Sequence, residues 1–306
     1  MSSSILLVSE GSNGHGLRVQ RGLTVVVSTY EWPEALDVVL RAFSEQSDKS
    51  FDIVVADDGS GPATALVVQR WHALFGARLT HIWHADEGFR AARARNLGAL
   101  ARGSGLIVFL DGDCIPRRDF VRAARAVARP GWFAVGRRLH LSQAFTQRVL
   151  DHDLPIHRWS LARWLPERRH CSEIALLTAR DRRKVGRLGV PEFVPEKNAY
   201  SPMFLAADDF EQVNGYDMRY EGWGEEDVDL AIRLRRLGLR CGHMGSSGTV
   251  LHLWHPSLVD TQRPNWQFLQ QTRGSGALEA VVGLRELERE LDVERSDIAE
   301  HVAVGH

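Results

Sequence analysis

Two clusters of acidic residues carry the chemistry this chain can do. Asp111-Gly112-Asp113 closes an apolar run, Leu106-Ile107-Val108-Phe109-Leu110, and so stands where a buried strand meets solvent, the place where open α/β sheets bind ligands. Side chains alternate along a strand, so this spacing predicts Asp111 and Asp113 on one face. Gly112 removes the side chain that would keep a large anion from the backbone. Two carboxylates placed this way suit a hard divalent cation and the phosphates it carries. The second cluster is Trp223-Gly224-Glu225-Glu226-Asp227-Val228-Asp229. It holds more acid than a metal needs, which frees one carboxylate to act as a general base.

Other groups gather around these two. Thr29-Tyr30-Glu31 and Asp57-Asp58-Gly59-Ser60 each follow an apolar run, and Arg90, Arg93 and Arg95 open a helical stretch from which a cation could reach the phosphates. His252 and His255 flank Leu253-Trp254. Each group also has a plain structural reading. Asp57-Asp58-Gly59 and Asp111-Gly112-Asp113 fit simple turns, and the latter also fits the nucleophile loop of a phosphatase working through an aspartyl phosphate. Carboxylates at a helix start are favoured electrostatically without any catalytic role. Arg93 and Arg95 fit a solvated helix face, and Asp229 with Arg233 reads as an i,i+4 surface pair.

The elements that position these residues alternate. Strands are expected over Leu23–Thr29, Phe51–Ala56, Leu79–Trp83 and Leu106–Leu110, with helices over Pro33–Gln46, Pro62–Phe75 and Phe89–Ala101. Such alternation indicates βαβ units and a mostly parallel central sheet flanked by helices. The polar signatures all fall at strand C-terminal ends, on one edge of that sheet. Further on, Phe204–Ala207 reads as a strand, Asp208–Val213 as a short helix stopped at Asn214-Gly215, and Thr249–Leu251 as a last strand. Glu225–Leu237 reads as a helix with Gly238 as its cap. Leu284, Leu287 and Leu291 form an amphipathic stripe suited to packing or a dimer contact. The Ser/Gly-rich residues 1–21 read as a flexible extension, 22–270 as the folded domain and 271–306 as a helical tail.

Composition sets the limits. The chain has 306 residues, 44% of them hydrophobic, and a net charge of −1, so bulk electrostatics gives no sign of nucleic-acid binding. From Arg117 to Arg187, 17 Lys/Arg stand against 6 Asp/Glu. There, Trp159 and Trp164 lie among Arg158, Arg163, Arg168 and Arg169, a pattern open to peripheral membrane contact or an anionic acceptor glycan. The three cysteines are widely spaced, which argues for a reducing compartment and against a zinc site. No apolar run approaches the roughly 18 residues a bilayer span needs, and Met1–Leu7 lacks a secretory pattern. A soluble cytoplasmic protein is the expectation.

Taken together, Val54-Val55-Ala56-Asp57-Asp58-Gly59-Ser60, Asp111-Gly112-Asp113 and Gly222-Trp223-Gly224-Glu225-Glu226-Asp227-Val228-Asp229-Leu230 resemble the motifs of glycosyltransferase family 2, enzymes of the GT-A fold that use nucleotide sugars. The third motif is also similar to that of β-galactosyltransferases and chondroitin-polymerase-type enzymes. The resemblance spans roughly residues 22 to 256, with 137–200 matching in length only. It implies a nucleotide-binding half, 22–116, and an acceptor and catalytic half, 117–270. It also implies roles. Asp57 would meet the nucleobase, with Thr29, Tyr30 and Glu31 lining the same pocket. Asp111 would bind ribose or assist the metal, Asp113 and His252 would hold Mn²⁺ or Mg²⁺, and Arg93 and Trp223 would contact the donor. Asp227 would be the base of an inverting transfer, with Glu226 beside it. The implied partners are a nucleotide-sugar donor, with UDP the favoured nucleotide and a hexose or N-acetylhexosamine the sugar, and a glycan or glycolipid acceptor. The competing readings are a phosphohydrolase or nucleotidyltransferase built on Asp111 and Asp113, and a non-catalytic sugar-nucleotide-binding module.

Overall fold

The computed structural model describes residues 6–8, 22–102, 105–171, 201–256 and 264–293. The main sheet has eight strands: β1 (Leu6–Val8), β2 (Leu23–Thr29), β3 (Asp52–Asp57), β4 (Leu79–Trp83), β5 (Leu106–Asp111), β7 (Trp132–Val135), β9 (Met203–Ala206) and β10 (Arg240–His243), in the order β1-β4-β3-β2-β5-β9-β7-β10. Three further strands, β6 (Cys114–Pro116), β8 (Arg137–His140) and β11 (Thr249–His252), make a small second sheet in the order β6-β11-β8.

The parallel strands β2, β3 and β5 carry continuous apolar runs because both of their faces are covered, and β4 completes the parallel set with Thr80 and His81 at its centre. Val25, Val27, Val108 and Leu110 pack beneath the helix Pro33–Ser44 (α1), meeting Leu36, Val39, Leu40 and Phe43, with Val67 and Val68 of Pro62–Phe75 (α2) in the same layer. Val26, Val54, Ala56, Ile107 and Phe109 face the other way, toward Ala94 and Leu97 of Ala91–Arg102 (α3). The βαβ expectation holds through β5. Beyond it, β9 runs antiparallel and wedges between β5 and β7, an orientation that a short apolar segment does not encode. Phe109 meets Phe210 and Tyr216 there, with ring centroids 5.0 and 5.1 Å apart.

Described residues at both ends of the chain pack onto the central domain. Leu6–Val8 pairs antiparallel with β4 along the sheet edge; the rest of 1–21 lies outside the described residues. At the other end, residues 284–293 are helical, with Leu284 and Leu287 buried in the core and Leu291 packed against it. The Met218 amide donates to Val282 O at 2.7 Å, and a Cβ at Gly283 would stand 1.9 Å from Asn214 O. The described part of the C-terminal stretch is thus built into the domain, and the leucine stripe is a packing face.

Candidate active site

Register brings the strand ends together. Thr29 pairs with Asp57 and Ser28 with Asp111, so β2, β3 and β5 deliver their polar residues to one sheet edge. Asp111 is the last residue of β5, and its carboxylate is fully engaged. Oδ1 accepts from Arg95 Nη2 at 2.9 Å and from the Ser28 hydroxyl at 3.3 Å, while Oδ2 accepts from Arg138 Nη2 at 2.5 Å. Burial alone would raise the Asp111 carboxyl, but the charges of Arg138 and Arg95 outweigh it and hold the group well below the usual carboxylate range. The strand stops here, so Asp113 sits in a turn and not on a strand face as alternation predicts. Its carboxylate still comes near that of Asp111, within a group of ligand atoms spanning no more than 4.8 Å. Gly112 serves protein packing: its amide donates to Ser28 O at 2.7 Å, and a Cβ there would lie 3.0 Å from that oxygen. The room expected for an anion is taken up by β2.

The small sheet builds the imidazole side. β11 sets His252 opposite Cys114 on one flank and His140 on the other, and the Leu253 amide donates to Asp113 O at 3.0 Å. His252 Nε2 and His255 Nε2 then stand 3.4 and 3.3 Å from the same oxygen, Asp113 Oδ2. The Asp113, His252 and His255 ligand atoms lie within 4.8 Å of one another. Two imidazoles with one carboxylate form a donor set suited to a divalent transition metal, and imidazole favours Mn²⁺ over Mg²⁺. Burial pushes His252 down to about 4 against the pull of Asp113, so its ring is neutral near pH 7 and keeps a lone pair for coordination. The hydrogen bond to Asp113 raises His255. His255, the weaker of the two histidine candidates in the sequence, therefore belongs to the cluster as fully as His252.

The second acidic cluster opens the helix Glu226–Arg236 (α4). Gly222, Gly224 and Glu225 all take positive φ, at 76°, 96° and 75°, and these left-handed residues turn the chain sharply into the helix. Trp223 is left 49% exposed between the two glycines. Glu226 and Asp227 are both buried, and both meet Arg95. Arg95 Nη1 lies 3.0 Å from Glu226 Oε1 and 3.7 Å from Asp227 Oδ1, while its other nitrogen holds Asp111. The Tyr216 hydroxyl donates to Asp227 Oδ1 at 3.2 Å. Burial, then the charge of Asp227, raises the Glu226 carboxyl, and Arg95 offsets this only in part. One buried guanidinium thus joins acids that are far apart in sequence. Asn96 secures the same junction, since its side chain bonds both the N–H and the C=O of Tyr216, at 2.9 and 2.8 Å.

On the nucleotide side, Asp57 is buried, accepting from Ser60 N at 2.8 Å and pairing with His81 at 2.9 Å. Asp58 accepts from Arg90 N at 2.7 Å and lies 3.1 Å from His84. Thr29 is buried at the end of β2. Tyr30 is exposed and donates to Asp86 at 3.0 Å, and Glu31 accepts from Gly61 N at 2.6 Å. Arg93 does not join the site. It makes a two-pronged pair with Glu290, at 2.8 Å for both contacts, and Arg95 takes the place expected of it. Asp229 and Arg233 do pair, at 2.6 Å, but both are 1% exposed and not on the surface. They tie α4 to Val213 O, Gly215 O, Tyr220 and Thr272. Sequence reasoning missed Arg138 and His140. Their signal was the alternation in Arg137-Arg138-Leu139-His140, which puts the two on one face of a strand.

A model described as glycosyl transferase family 2 matches residues 24–178, and one described as the N-terminal domain of galactosyltransferase matches residues 202–256. Validoxylamine A glucosyltransferase of Streptomyces hygroscopicus subsp. jinggangensis is 29% identical over 229 residues, 71% of this chain and 52% of that protein. Hyaluronan synthase of Pasteurella multocida is 25% identical over 234 residues, 71% of this chain but 23% of its own length. The chain thus spans about half, or less, of these relatives. Among solved structures, GalNAc-T7 with UDP, GalNAc and Mn²⁺ aligns with a TM-score of 0.58 and 13% identity, covering 82% of this chain and 47% of that one. That likeness establishes the GT-A fold.

Proposed function

The chain belongs to glycosyl transferase family 2, and from that membership we propose that it moves a hexose or N-acetylhexosamine from a nucleotide diphosphate sugar, with UDP the favoured nucleotide, to a hydroxyl of a cell-surface glycan or lipid-linked acceptor, with inversion at the anomeric carbon. The observation that carries this reading is the bridge made by Arg95 between Asp111 and the Glu226–Asp227 pair. It joins the two acidic clusters in one buried site, which supports a diphosphate end and a proton-accepting end side by side.

Asp113, His252 and His255 would hold the divalent ion. When bound, the ion supplies Lewis-acid neutralisation of the departing diphosphate. The chain's own groups do the rest. Asp227 accepts the proton of the incoming hydroxyl. Tyr216 and Arg95 both approach its Oδ1, so Oδ2 is the oxygen offered to the acceptor. That carboxylate takes the proton as the new bond forms. Glu226 positions the sugar. Arg95 and Arg138 keep Asp111 charged and immobile, which fixes the floor on which the donor lies. Asp57, with Thr29, Tyr30 and Glu31 around it, lines the base pocket, and Trp223 covers the sugar. The two guanidinium contacts on Asp111 lower the nucleophilicity of its carboxylate and argue against its use as a phosphohydrolase nucleophile.

A thermal-shift panel of nucleotide sugars, with and without Mn²⁺, tests the reading, because a ligand that binds the folded state raises its melting temperature. A UDP-sugar should raise it in a Mn²⁺-dependent way, and incubation with acceptor should release UDP. A panel with no metal-dependent shift, or release of inorganic phosphate in place of UDP, would discard it.

A further inference from the structure

Several arginines of the basic stretch from Arg117 onward are paired within the protein. Arg125 pairs with Asp48 at 2.9 Å, Arg138 with Asp111 at 2.5 Å and Arg148 with Glu167 at 3.0 Å, and Arg158 pairs with Glu45. Arg168 and Arg169 differ. Both are exposed, and neither has a carboxylate partner among the described residues. They form the cationic wall of an open cleft of about 480 Å³ whose other wall is Ala162, Leu165 and Pro166. Leu165 is 57% exposed and Leu161 37%.

This outward display is built, because Trp164 holds it in place. Its ring is fully buried, 5.9 Å from Phe145 and 5.2 Å from Trp159. With Trp164 turned in, Leu161 and Leu165 of the short helix Leu161–Trp164 and the turn after it are left outside. The segment then returns to the site. The Ser142 amide donates to His170 O at 2.7 Å, and Cys171 bridges to Leu141, whose neighbour His140 packs against His252 at 4.8 Å.

We propose that this cleft docks the protein on an anionic lipid bilayer. Arg168 and Arg169 pair with lipid phosphates, while Leu165 and Leu161 enter the boundary between headgroups and acyl chains. An anionic polysaccharide would satisfy the arginines but offers nothing to two exposed leucines, so the mixed character of the cleft favours an amphiphilic surface. The docking would turn the metal cluster toward an acceptor carried in the membrane. Only that purpose rests on the proposed function; the docking itself stands on the cleft.

Co-sedimentation of the full chain with vesicles tests it. The protein should pellet with phosphatidylcholine vesicles that contain phosphatidylglycerol and not with pure phosphatidylcholine, and added salt should weaken the binding. Arg168→Glu with Arg169→Glu should lower partitioning about ten-fold or more. Leu165→Asp should lower it as well, and Arg122→Glu, a charge reversal elsewhere on the surface, should leave it unchanged. No pelleting with the anionic vesicles overturns the proposal. So does binding that ignores both cleft variants, or binding to heparin that depends on the arginines but not on Leu165. Donor binding is read separately by thermal shift, so a chain that pellets with vesicles yet binds no nucleotide sugar would sink the enzymatic reading and leave the docking intact.

Discussion

The acids at the strand end and the acids at the helix start are the same residue types put to opposite electrostatic use. Asp111 is surrounded by permanent cations, Arg95 and Arg138, which hold its carboxyl far below the ordinary range. Burial alone would raise Asp113, which faces two imidazoles, but the hydrogen bond from His255 works against it and the carboxyl is lowered as well. Glu226 and Asp227 share one guanidinium between two charges in a buried place, and Glu226 is raised. The first region is organised to remain charged, which suits holding a cation and a diphosphate. The second holds a carboxyl, Glu226, that burial and its acidic neighbour keep closer to the protonated form.

The sharpest way to break this contrast is to remove one acid from each region. Asp113→Ala should weaken metal-dependent donor binding at least ~100-fold by calorimetry and abolish transfer. Asp227→Asn should keep donor affinity and lower kcat by ~10²–10⁴. Transfer at the normal rate by Asp227→Asn would mean that the two regions do not divide the labour as described. Next in size is the bridge itself. Arg95→Leu leaves buried carboxylates uncompensated on both sides and should cost about 3–5 kcal/mol of stability in denaturant titration; a cost under ~1 kcal/mol would mean that the regions are electrostatically independent.

Acid titration separates the regions by sign. A carboxylate held low in the folded state stabilises it above its unfolded pKa of about 3.9, and that contribution is lost as pH falls through the depressed value. Asp111→Asn should therefore flatten the acid-side loss of stability. Glu226, raised by burial, works the other way, contributing most at low pH and less as pH rises through its elevated pKa. The smallest effect belongs to Arg93→Ala. Its pair with Glu290 is half in solvent, so the expected cost is ~0–1 kcal/mol, with donor binding unchanged.

That last case shows where the sequence stops. Arg93 and Arg95 look alike in the chain, but residues two apart on a helix point about 200° from each other. Which of them faces the acids depends on how α3 is rotated against the sheet, and that is set by Ala94 and Leu97 packing on β2 and β3. Asp229 and Arg233 pose the same problem. Their spacing fixes the pair, but only the covering of α4 by the helix Trp266–Ser275 (α5), through Thr272, makes it a buried clamp.

By itself the sequence determined the parallel β2–β5 core and the sheet edge to which the acids belong. Those features follow from local periodicity and from strand ends, which neighbouring residues specify. The tertiary structure alone decided the rest: the antiparallel entry of β9, the packing of Leu284 and Leu287 into the core, the recruitment of His255 beside His252, and the choice of Arg95 and Arg138 as the cations of the site. Each depends on contacts between segments far apart in the chain, where packing and charge pairing in three dimensions, not local propensity, select the partner.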